Sequence, residues 1–118
     1  MYGLPENFDS AAFVDTELVQ IAFSANTIDF WFGENISITL MSSFIHRIDS
    51  NKTEGRHTVP VTESGLMALI GKSVSSASAD RDGTLILLFE NGDSLTFLDD
   101  SKQYESYSIQ LGGERIIV

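Results

Sequence analysis

Two stretches of the chain carry the same hairpin pattern, and that pattern limits the fold more than any other feature. Residues 27–41 read Thr-Ile-Asp-Phe-Trp-Phe-Gly-Glu-Asn-Ile-Ser-Ile-Thr-Leu-Met, and residues 84–98 read Thr-Leu-Ile-Leu-Leu-Phe-Glu-Asn-Gly-Asp-Ser-Leu-Thr-Phe-Leu. At a constant offset of 57, Thr27/Thr84, Phe32/Phe89, Ser37/Ser94 and Thr39/Thr96 are identical. Apolar matches fill Ile28/Leu85, Phe30/Leu87, Ile38/Leu95, Leu40/Phe97 and Met41/Leu98. In each copy, β-branched and aromatic runs flank a turn, Gly33-Glu34-Asn35 in the first and Asn91-Gly92 in the second. Asn-Gly suits a tight hairpin because both central residues then need positive φ. An internal repeat of β-hairpins follows.

The surrounding segments extend each hairpin into a meander. Asp82-Gly83 joins the second hairpin to a strand over Ser73–Ala79, and Leu18–Phe23 takes the matching place in the first half, with Ser24-Ala25-Asn26 as its turn. Leu18 and Ile21 line up with Val74 and Ala77, and an apolar pair three apart implies a bulge or a late-entering strand. Fourth strands are predicted over Phe44–Asp49 and Tyr104–Leu111, and Gly112-Gly113 returns Arg115–Val118 as a last strand. Helix signals are few. Thr62 can cap a short helix with Leu66, Leu69 and Ile70 on one face and Gly71 at its end, and Asp9 can cap one turn before Phe13. Residues 50–59 form a polar connector between the halves. The predicted fold is mainly β (α+β): two pseudo-repeated antiparallel meanders with one or two short helices, packed as a sandwich or flattened barrel in one domain, 1–118.

Composition narrows the function classes. The 118 residues include 17 acidic and 7 basic side chains, for a net charge of −10. Residues 1–59 carry 8 acids and 3 bases, and residues 60–118 carry 9 and 4, so the charge is shared evenly. Nucleic acids and anionic membranes are bound through Lys and Arg, so neither is an expected partner. With no cysteine, disulfides, thiolate metal sites and cysteine nucleophiles are excluded. No run of roughly 18 apolar residues is present to span a membrane, and the first residues lack a basic region and an apolar core for export, so a cytoplasmic location is expected.

Candidate chemistry is thin. Asp80-Arg81-Asp82-Gly83 opens like a calcium loop, but Thr84–Leu88 supply no ligand, and a plain turn is the better reading. His46 and His57 are the only imidazoles, with Asp49 and Glu54 nearby in sequence and no two-histidine ligand spacing. No G-x-S-x-G elbow and no phosphate loop occurs, so no catalytic residue, metal site or cofactor is assigned. Asp99, Asp100 and Glu105 bracket Lys102, and Asp93 lies at the second hairpin turn, which predicts an acidic rim able to meet Lys or Arg on a partner. Trp31 beside Tyr104 and Tyr107 supplies the aromatic anchor such interfaces use. Leu85, Leu87 and Phe89 share one strand face while Ile86 and Leu88 share the other, so both faces need cover and a homodimer is expected.

Leu69-Ile70-Gly71-Lys72-Ser73-Val74, then Gly83-Thr84-Leu85-x-Leu87-x-Phe89-x-Asn91-Gly92-x-x-Leu95, then Tyr104-Glu105-Ser106-Tyr107, resembles a family of small bacterial domains of unknown function. Their mark is an L-x-F-x-x-G hairpin followed by a tyrosine-glutamate-serine strand, matched over residues 66–110. The resemblance implies a β-rich fold and no established activity. Similar small acidic proteins serve as immunity partners of bacterial toxins, and by that analogy the expected function is a non-enzymatic interaction module for a basic partner. The alternative is a small-ligand-binding β-barrel with Phe30, Phe32, Phe89 and Phe97 lining a cavity.

Overall fold

Alternation of apolar and polar residues becomes ten antiparallel strands in a computed structural model, which describes residues 3–33, 35–48, 54–59, 65–101 and 105–118, with backbone alone at 54–56. The first half runs β1 (Gln20–Phe23), β2 (Ile28–Trp31), β3 (Ile36–Leu40), β4 (Ser43–Arg47) and β5 (Glu54–Thr58). The second half repeats that order with β6 (Val74–Ala79), β7 (Leu85–Phe89), β8 (Ser94–Phe97), β9 (Tyr107–Leu111) and β10 (Glu114–Ile117). They form two five-stranded sheets, ordered β1-β2-β3-β9-β10 and β5-β4-β8-β7-β6. Each half therefore gives a three-stranded meander to one sheet and a hairpin to the other. The seams are β3 with β9 and β8 with β4. The two sheets are separate and make a sandwich.

Strand faces follow the period of two. In β7, Leu85, Leu87 and Phe89 are buried while Ile86 and Leu88 point out. Between the sheets, Phe30 meets Phe97 edge to face at 5.3 Å, and Phe13 meets Phe32 at 5.5 Å. All four of Phe30, Phe32, Phe89 and Phe97 belong to the packed core, so they fill the interior they were expected to line. Edge-to-face geometry adds roughly 0.5–1.5 kcal/mol per pair beyond burial.

At one corner the halves are stitched together by hydrogen bonds that exchange roles at an offset of 56. Leu18 N–H donates to Lys72 C=O (3.0 Å), and Val74 N–H donates to Thr16 C=O (2.8 Å). Asp15 N–H reaches Val74 C=O (2.8 Å), and Gly71 N–H reaches Leu18 C=O (2.7 Å). Asp15 (φ 68°) and Gly71 (φ 90°) share the left-handed conformation that lets the chain turn there. Aspartate is one of the few side chains that tolerates it.

Several boundaries differ from expectation. The predicted helices are single 3₁₀ turns, Ser10–Phe13, capped by Asp9, and Leu66–Leu69. Three residues per turn align Leu66 with Leu69, both buried, and swing Ile70 outward to 42% exposure. The polar connector contains β5, an edge strand whose Glu-Gly-Arg-His-Thr has no apolar alternation and is specified by pairing with β4. The bulge expected at the first strand falls in β6, between Val74 and Ser76, and β1 instead enters late. The fourth strands are shorter than predicted, Ser43–Arg47 and Tyr107–Leu111. Glu34, Asp49, residues 50–53, Thr62, Glu63, Ser64, Lys102 and Tyr104 lie outside the described residues. Among the described residues no helix is long and apolar enough to cross a membrane.

Candidate functional site

The strands hand their polar side chains to two places at opposite ends of the second half. At one end, β8 stops at Phe97 and the next loop carries Asp99 inward. Its carboxylate accepts from the Gly3 amide (2.8 Å) and the Ser106 hydroxyl (2.8 Å). That hydroxyl in turn accepts from Ser101 N–H (3.1 Å). Gly83 lies so close that an added Cβ would stand 2.5 Å from the Asp99 Cβ, and its φ of +100° already favours glycine. The Tyr107 hydroxyl donates to Gly83 C=O at 2.6 Å, tying β9 of one sheet to the β6–β7 turn of the other.

The charge states fit this knot. Burial by itself raises the Asp99 carboxyl, but the positive charge and hydrogen bonds that converge on it, Gly3 and Ser106 among them, hold it below the usual carboxylate value. Burial first, and then the negative charges of Asp99 and Asp82, push the Tyr107 phenol far above its ordinary value. Tyr107 therefore stays protonated and keeps donating. Around this knot stand Glu6, Asp80, Asp82 and Asp100, all exposed. Asp82 accepts from Thr84 N–H (2.9 Å), and Gly83 N–H donates to Asp80 C=O (3.0 Å), so Asp80-Arg81-Asp82-Gly83 is a tight turn. Arg81 pairs with Glu6 at 3.3 Å, both in solvent, a contact worth about 0–1 kcal/mol.

At the other end, where β7 turns into β8, the buried Asp93 carboxylate meets His46 Nε2 of β4 at 3.0 Å. The pairing register makes Ile36 and Ile109 the counterparts of Asp93 and His46 across the halves, because His46 faces Leu95 as Ile109 faces Ile38. An Asp-oriented imidazole is one part of a catalytic set. It has no nucleophile beside it among the described residues, and no group of three or more His, Asp or Glu stands ready for a metal there.

The expected interface residues are thus divided. Asp99, Asp100, Glu105 and Tyr107 share one end; Asp93 sits at the other, buried. Tyr107 is fully buried, so it anchors the fold and no partner. Trp31 stands on the outer face of β2 at 38% exposure, across from Gln20 and Ser37, and its row does not include Tyr107. Of the six, Asp100 is the exposed carboxylate and Glu105 is half-buried. Sequence reading missed Glu6, because nothing local links it to Arg81 75 residues on. It weighed Asp80 and Asp82 only as calcium ligands. Three neighbouring acids around one Asp-Gly turn were the signal available.

Fold and site together define a two-sheet β-sandwich domain with an acidic end and no assembled catalytic centre among the described residues. The chain belongs to the family of unknown function DUF6188, whose model matches residues 10–118. No curated protein and no solved structure matches it.

Proposed function

We propose that this domain is a non-enzymatic interaction module whose acidic end receives a basic protein partner, in the manner of an immunity protein meeting a toxin. The convergence of Glu6, Asp80, Asp82 and Asp100 around the Asp99–Tyr107 knot carries this reading. The knot holds the turn and the loop fixed, so these carboxylates are presented with little ordering cost on binding. The corresponding turn of the first half, Ser24-Ala25-Asn26, has no charge at all. With a net charge of −10, long-range attraction speeds encounter with a basic surface and fades as salt rises.

The test is affinity capture from the native host, including products of neighbouring genes, with wild type and a D80K/D82K/D100K variant side by side. A basic protein retained by wild type, released by salt and lost by the variant is the expected result. Equal retention by both, or none by either, overturns the reading.

A further inference from the structure

The outer face of the β5-β4-β8-β7-β6 sheet carries an apolar patch that its opposite number lacks. Register places Ile86 beside Thr96 and Thr96 beside Ile45, all on the outer side; Leu88, Ser94 and Arg47 make the next row. Ile86 and Leu88 are 36% and 37% exposed. On the other sheet, the counterpart of Ile86 is Asp29, which accepts from the Thr39 hydroxyl at 2.6 Å, and the counterpart of Ile45 is Ser108. The fold therefore does not require isoleucine at these places.

Charge is laid out unevenly across the same face. Arg47, exposed on β4, lies to one side of β8. Asp80 and Glu90, exposed at the two ends of the β6–β7 pair, lie to the other.

We propose that this face is the surface through which two copies of the chain associate, about a two-fold axis running along β8. Such an axis keeps height along the strands and lays β4 of one copy over β7 of the second. Ile45 then meets the second copy's Ile86. The stem of Arg47 covers the second copy's Leu88, and its guanidinium reaches the second copy's Glu90, two residues or about 7 Å further along. The other axis in the plane of the sheet, across the strands, stacks the Asp80 and Glu90 margins on each other, acid against acid. Charge complementarity therefore selects the first arrangement. Five strands spaced about 4.8 Å apart and roughly five residues long present about 400 Å² per copy. That is half of the roughly 800 Å² typical of a stable interface, so association belongs in the micromolar range or weaker. This proposal stands apart from the basic-partner reading, which uses the end of the sandwich.

Sedimentation equilibrium from 5 to 500 µM tests it on the intact chain. Wild type is expected to populate a dimer, and I86S/L88S to weaken it at least about tenfold. Arg47→Glu and Glu90→Arg should each weaken self-association. Mixed in equal amounts they should recover wild-type association within about threefold, because both cross-copy pairs are then opposite in charge. Circular dichroism confirms that each variant is folded, and the charge variants alter exposed side chains only. A monomeric wild type at 500 µM, a dimer indifferent to I86S/L88S, or a mixture no better than its components overturns the proposal.

Discussion

The two halves place the same backbone in the same order but spend their polar side chains differently. In the first, the β2–β3 turn ends on Ile36; its counterpart is Asp93, bonded to His46, where the partner strand of the first case offers Ile109. At the start of β4 the first half has Phe44; at the start of β9 the second has Tyr107, with a hydroxyl fixed on Gly83. The β1–β2 turn is uncharged, and the β6–β7 turn is acidic. Since apolar residues serve one half in these places, the polar set of the second is not demanded by the fold. It is an addition that has to satisfy its own hydrogen bonds.

The sharpest way to break this comparison is to convert one half toward the other. His46→Ile alone removes the imidazole from the Asp93 carboxylate, and a loss of about 3–5 kcal/mol is expected in urea unfolding. Adding Asp93→Ile to it recreates the pair of the first half and should recover most of that loss, a positive coupling in the double-mutant cycle. Additive losses would mean that the isoleucine pair owes its fit to surroundings the second half lacks. Next in size, Gly83→Ala should cost about 3 kcal/mol, combining a positive φ with a collision against Asp99, whereas Gly33→Ala, with open space around it, should cost roughly 1–2 kcal/mol. Tyr107→Phe copies the aromatic residue of the first half but leaves Gly83 C=O without its donor, an expected loss of about 1–3 kcal/mol.

The smallest effect is a pH dependence. The Asp99 carboxyl is held below its ordinary value in the folded chain. Its contribution is therefore complete above the unfolded value of about 3.9 and is lost as pH falls through the folded one. The stability gap between wild type and Asp99→Asn should be constant from pH 7 to 5 and shrink below about pH 4. A gap unchanged at pH 3 would detach Asp99 from the titration.

Local chemistry made most of the strands readable. Leu85, Leu87 and Phe89 alternate cleanly, and the Asp82-Gly83 and Asn91-Gly92 turns fix where β7 begins and ends. β5 was unreadable for an opposite reason: its residues carry no period of two, and pairing with β4 specifies it. The site was less legible than the fold. Gly3 and Asp99 meet across 96 residues, and His46 and Asp93 across 47, distances at which no spacing rule operates. Asp93 was chosen as a solvated acid because it sits at a turn. Nothing nearby in sequence shows that the turn folds back over β4.

The exchange of hairpins between sheets sets a schedule for folding. Ile38 on β3 waits for Ile109 on β9, and until that strand arrives both β3 and the β4–β5 hairpin present unpaired edges. Contacts of such long sequence separation slow folding and leave those edges open to other chains. On the ribosome the first half emerges with its hairpin and no sheet to receive it. At high local concentration, a hairpin from a neighbouring nascent chain fits the vacant place as well as its own does, so the same architecture that binds the halves into one core also invites their exchange between molecules.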